Sequence, residues 1–183
     1  MHTKPSIARF DLRRVNFLGL GDRKRYRFQL LTTYLMVESS VNFTLADPSR
    51  FGMLQRVFHA LRDAKNDGAI DADDESWRSY FDDDALSHFW NPTPEELADW
   101  TRRWQATPVE KRFTDPTLET PWDFGSMIEA FHNGEYNLLR VTRVSENAGA
   151  LQFEALAFPY GGTGCMRALV ECFGGIVTGE IDT

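Results

Sequence analysis

Apolar and polar positions alternate along the first part of the chain. Ala8, Phe10 and Leu12 are interleaved with charged residues, and Tyr26, Phe28 and Leu30 with Arg25, Arg27 and Gln29. A period of two is the signature of a half-buried strand. The run continues through Thr32, Tyr34 and Met36, and Gly19-Leu20-Gly21-Asp22 supplies a turn. The pattern predicts a β-hairpin over residues 7–38.

The period then changes. Asp47-Pro48 is a helix start, with Asp as cap and Pro in the first turn, where its missing N–H costs nothing. Phe51, Leu54, Val57, Phe58 and Leu61 follow at helical spacing, and Asn66-Asp67-Gly68 closes the helix. Thr93-Pro94-Glu95-Glu96 has the form of a reciprocal capping box, with Leu97, Trp100 and Trp104 on one face behind it. Thr107-Pro108-Val109-Glu110 repeats that form and predicts another short helix, while 114–123 reads as a loop. Phe124, Met127, Ile128 and Phe131 predict a further helix ending at Asn133-Gly134.

The last fifty residues return to strands. Stretches 136–144 and 151–158 flank a turn at 145–149. A glycine loop, Gly161-Gly162-Thr163-Gly164, leads into helical spacing from Cys165 to Phe173, and Gly174-Gly175 precedes a final strand. Strands in two blocks around a helical block predict an α+β fold with a single mixed or antiparallel sheet. The N-terminal hairpin and a C-terminal β-β-α-β unit would build that sheet. A helical section over about 47–132, as a layer or an insertion, would pack it within one domain spanning 1–183.

Charge narrows the function classes. The 183 residues carry a net charge of -7, which argues against nucleic-acid binding, since that needs a cationic surface. Residues 1–30 hold eight basic side chains against two acidic ones, and much of the opposite charge lies between Asp63 and Asp84. No apolar run approaches the ~20 residues that span a bilayer, and residues 1–6 lack the apolar core of a secretory signal. Cys165 and Cys172 fall on one helix, ~10 Å apart along its axis, too far to pair with each other. Free thiols point to a reducing cytoplasm.

Four constellations bear on chemistry. Cys165, in the first turn of a helix, is a candidate nucleophile with His132 as its base. Its helical-wheel position opposite Arg167 and Glu171 equally marks it as a core residue. Gly162, Gly164 and Arg167 are candidates for holding an anion, although the dinucleotide pattern fails where Arg167 replaces the last glycine and no phosphate-loop lysine follows. Asp63, Asp67, Asp71 and Asp74 surround Gly68 in a spacing that resembles the loop of an EF-hand. That resemblance implies a weak calcium site; Lys65 stands where a ligand is expected, and Asp74 replaces the usual Glu. Finally, the five Trp residues lie between 77 and 122 among acidic clusters. Aromatic rings beside carboxylates suit recognition of a basic protein partner, with Asp73, Asp74, Trp77, Asp82, Asp83 and Asp84 as the surface.

No zinc cluster, G-x-S-x-G or C-x-x-C motif is present. The expectation is a cytoplasmic, non-enzymatic binding protein without a cofactor, inhibitor- or immunity-like in character. A small enzyme or anion-binding protein using the glycine loop is the alternative.

Overall fold

The structure is a computed structural model and describes residues 38–70, 74–157 and 160–181, with the backbone alone at Asp74. Glu38 apart, the hairpin expected over 7–38 lies outside the described residues, as do Asp71 and Asp73. The described elements fall in the compact unit Leu35–Thr183.

The fold is α+β. Strands β1 (Ser39–Leu45), β2 (Tyr136–Arg143), β3 (Ala148–Ala155) and β4 (Gly175–Ile181) form one sheet of order β2-β3-β1-β4, antiparallel at every pairing. The C-terminal β-β-α-β unit supplies three of the four strands, as its pattern predicts. The fourth corrects the sequence reading: β1, a central strand, lies just beyond the stretch expected to be a hairpin. Its inward residues Val41, Phe43 and Leu45 are buried. Its outward residues Ser40, Asn42 and Thr44 are the polar types that also favour turns, which hides the period of two.

Helices cover one face of the sheet. Helix α1 (Phe51–Asn66) follows a 3₁₀ turn at Pro48–Arg50, and the Asp47 carboxylate accepts from the Ser49 N–H at 2.9 Å. It buries Phe51, Leu54, Val57, Phe58 and Leu61, the five positions its spacing marks. Helix α5 (Phe124–Asn133) buries Phe124, Met127, Ile128 and Phe131, and α6 (Gly164–Cys172) buries both cysteines. Two short helices, α2 (Asp74–Arg78) and α3 (Asp83–Leu86), lie in the acidic middle. From this middle, Ile70, Trp77, Phe81 and Phe89 enter the same core. Phe81 and Phe89 each meet the Phe124 ring edge-on at 5.1 Å.

Lys65, from α1, ties two helices together. Its ammonium donates to the carbonyls of Phe131 (2.8 Å), His132 (3.0 Å) and Gly134 (2.8 Å). These are acceptors left over at the end of α5, where a cation also complements the helix dipole.

Helix α4 (Pro94–Ala106) starts with the expected capping box. Thr93 Oγ1 accepts from the Glu96 N–H, and the Glu96 carboxylate accepts from the Thr93 N–H at 2.8 Å. The second cap expected at Thr107 does not form. Thr107 instead ends α4, donating its hydroxyl to the Arg103 carbonyl at 2.9 Å, and only a 3₁₀ turn, Val109–Lys111, follows. No helix among the described residues is long and apolar enough to cross a membrane.

Candidate functional site

The glycine loop before α6 is shaped by positive φ angles at Gly161 (95°) and Gly162 (78°), a region that L-residues with a side chain rarely enter. Gly164 serves a different purpose: a Cβ there would stand 2.7 Å from the Trp122 ring, so the indole packs on bare backbone. Arg167, the charged group among the anion candidates, is paired within the chain. Arg167 Nη1 donates to Glu180 Oε1 at 3.0 Å, and the Thr163 hydroxyl donates to Glu180 Oε2 at 2.8 Å. A carboxylate of the chain's own β4 therefore engages this guanidinium and the neighbouring hydroxyl.

Cys165 is 2% exposed, and its sulfur lies 3.1 Å from the Tyr136 hydroxyl. Burial pushes the thiol up to about 11, against which the Tyr136 hydrogen bond works only in part. Nucleophilic thiols need the opposite shift. His132 is exposed at the end of α5, and it is its carbonyl that is engaged, by Lys65.

Three of the acidic positions, Asp63, Asp82 and Asp84, are paired with arginines. The Asp82 carboxylate accepts from the Ala85 N–H (2.8 Å) and from Arg50 (2.9 Å), and both hold it below the usual carboxylate range. Asp84 accepts from the other nitrogen of the same guanidinium at 2.7 Å, while Asp83 is exposed. Trp77 is 6% exposed and belongs to the core. In the EF-hand-like stretch, Asp63 accepts from Arg62 at 2.8 Å, Asp67 is exposed at the end of α1, and Asp71 and the Asp74 side chain lie outside what is described.

The remaining tryptophans form a surface. Helix α4 buries none of its residues. Trp100 and Trp104 stack at 5.1 Å with 24° between planes. Trp90 meets Trp100 at 5.5 Å, and Phe113 meets Trp104 edge-on at 5.8 Å. This ladder ends in Phe113, which is 87% exposed. It is pinned by polar bonds to the turn Pro116–Leu118: Trp100 Nε1 donates to the Leu118 carbonyl (3.1 Å) and Arg103 to the Thr117 carbonyl (2.7 Å). Two open clefts flank that turn. One, about 530 Å³, is walled by Trp100, Trp104, Arg112 and Phe113. The other, about 570 Å³, is walled by Trp122, His88, Arg167 and Glu171. Pro116, Glu119 and Thr120 line both, so 116–120 forms a ridge between them.

Charge is distributed unequally around this ridge. Arg102 and Arg103 pair with Asp99, and Arg167 with Glu180. Among the described residues, the side chains of Glu95, Glu110, Glu119 and Glu171 enter no hydrogen bond or ion pair, and of the nearby cations only Lys111 is similarly uncommitted. Of the ladder, Trp90, Trp100 and Trp104 stand out in the sequence by type. Arg112 and Phe113 do not; their only signal is an aromatic residue stranded before a Thr-Asp-Pro stretch with no periodic neighbour.

The fold and this site define an α+β protein with a helix-covered antiparallel sheet and a half-exposed aromatic surface rimmed by carboxylates. Comparison with known protein families, with curated proteins and with solved structures finds no match.

Proposed function

We propose that this is a non-enzymatic binding protein that recognises a basic segment of a protein partner, laid across the 116–120 ridge with side chains reaching into both clefts. The exposure of Phe113 at the end of a stacked tryptophan ladder carries this reading. A ring left 87% exposed beside two half-buried indoles is the aromatic anchor on which interface energy concentrates. The uncommitted glutamates supply the complementary charge. The surface differs from the one expected at Asp73 to Asp84, because Asp82 and Asp84 are occupied by Arg50 and Trp77 is buried.

An inhibitor- or immunity-like role, in which the surface covers a cationic enzyme, is the same reading at the level of biology. The two buried free thiols suit a reducing compartment, and cytoplasmic residence is part of this proposal.

The test is a photo-reactive residue placed at position 113 in the protein expressed in its host, with the cross-linked partner identified by mass spectrometry. The expected product is a protein of net positive charge, lost when Glu119→Lys is added. An acidic partner, or capture indifferent to Glu119→Lys, overturns the proposal.

A further inference from the structure

Arg112 stands apart from the other cations of the α4 layer. Its guanidinium lies over the Trp104 ring, 5.4 Å from the centroid, and its Nε donates to the Thr107 carbonyl at 3.0 Å. Among the described residues it has no carboxylate partner, although Glu110, Asp115 and Glu119 are all within seven positions along the chain. Asp115 is turned instead to the Thr117 N–H and hydroxyl, at 2.9 and 2.7 Å. Glu119 shares a cleft wall with Arg112 and remains unpaired.

Resting on the binding role proposed above, we infer that Arg112 is an internal occupant of an arginine subsite. The partner's arginine takes its place on the Trp104 face, beside Phe113, and Arg112 swings out into solvent.

A planar guanidinium stacks on an indole through cation–π attraction and still presents N–H groups at its edge. Arg112 uses the face of the ring and one carbonyl. An arginine arriving from a partner is not tethered to residue 112, so it can stack on the same face and also direct its fork at Glu119. That second contact, a charge-assisted pair, is the one Arg112 lacks. The exchange replaces a guanidinium held by one neutral acceptor with one held by a carboxylate.

Ring geometry favours this occupant over a proline-rich one. Trp104 and Phe113 meet at 87° and line one open cleft with Arg112, which suits a compact cationic head. A proline helix docks instead into grooves lined by aromatic ridges.

The experiment titrates the protein with a capped peptide of three arginines separated by alanines, read by tryptophan fluorescence and calorimetry. A citrulline peptide, which keeps the shape and loses the charge, runs alongside. The wild type is expected to bind the arginine peptide saturably and the citrulline peptide not at all. Arg112→Ala, which removes the competitor, is expected to tighten arginine-peptide binding about two- to fivefold, the weight of one exposed cation–π contact. Phe113→Ala and Glu119→Gln are expected to weaken it. Unchanged or weaker binding by Arg112→Ala overturns the inference, as does equal binding of the citrulline peptide or no saturable signal in any variant. Each of these leaves the cross-linking result at position 113 to decide the binding role on its own.

Discussion

Helices α4 and α5 carry similar patterns of apolar residues but meet different fates. Helix α5 places Phe124, Met127, Ile128 and Phe131 wholly inside the core. Helix α4 places Trp100 and Trp104 on a face that buries nothing completely. Each pattern states that a face seeks cover; neither states what the cover is. Helix α5 finds the sheet side of the molecule, with α1 and α6 beside it. Helix α4 finds the turn Pro116–Leu118 and the rings of Trp90 and Phe113, and its own indoles cover one another. Stacking of that kind keeps indoles ordered while leaving an edge of the ladder in water, where a second molecule can complete it.

The largest separation between the two regions is expected from paired truncations of phenylalanine. Phe124→Ala removes a 1% exposed ring on which Phe81 and Phe89 abut and over which Arg78 lies at 4.8 Å. It should cost about 3–5 kcal/mol. Phe113→Ala should stay within about 0.5 kcal/mol of the wild type, as exposed positions do. Urea unfolding measures both. A loss of several kcal/mol at Phe113 would show that its ring is structural and would remove the surface from consideration as a binding site.

The core also has an alkaline weakness. Burial raises the Cys165 thiol from its ordinary value of 9.0 to about 11, and raises the Tyr136 hydroxyl as well. A group whose folded value is raised lends stability fully below its unfolded value and loses it as pH rises through the folded one. The Cys165 share, on the order of 2–3 kcal/mol, is therefore intact below pH 9 and gone above about pH 11. Lys65 is shifted downward by burial, so its contribution runs the opposite way, increasing as pH approaches its ordinary value. Cys165→Ala removes the thiol together with its part in raising Tyr136. Urea midpoints measured from pH 8 to 11 should fall less steeply for the variant. Parallel curves would mean that water reaches the thiol in the folded state.

What could be seen in the sequence depended on whether a partner lay nearby in the chain. The Thr93 capping box and the five buried positions of α1 are local patterns found where their residues predict; the β2–β3 hairpin is local too, but its turn is tighter than expected, because Ala148 and Gly149 already pair as the start of β3. The bond from Arg50 to Asp82 and Asp84 spans more than thirty residues, and no spacing rule links a helix-start arginine to an acidic run. That bond gives Asp82 and Asp84 a role in the fold that the acidic run does not disclose in sequence. Strand β1 had its alternation in plain view at Val41, Phe43 and Leu45, but serine, asparagine and threonine between them carry the composition of a turn. Arg112 over Trp104 is invisible for a third reason. Helix α4 ends at Ala106, so an eight-residue separation has no periodicity to reveal it.

The smallest expected effect tests how independent the two regions are. Thr93→Ala deletes the hydroxyl that accepts from the Glu96 N–H and that donates to the Glu96 carboxylate at 3.1 Å. Loss of such a cap costs about 0.5–2 kcal/mol, or roughly 2–4 °C in melting temperature per kcal/mol for a chain of this length. Pro94 in the first turn keeps part of the helix start in place, which argues for the lower end. Hydrogen exchange locates the loss better than the melting temperature does. Amides early in α4 should exchange faster in the variant, and those of α5 should not, because α4 is joined to the rest through Trp100, Arg103 and the backbone bond from Trp90 N–H to the Trp122 carbonyl at 2.9 Å. Faster exchange confined to α4 would establish the aromatic layer as a unit that opens by itself, as a surface reshaped by binding requires. Faster exchange in α5 as well would tie the ladder to the core and make the contrast between the two helices one of exposure alone.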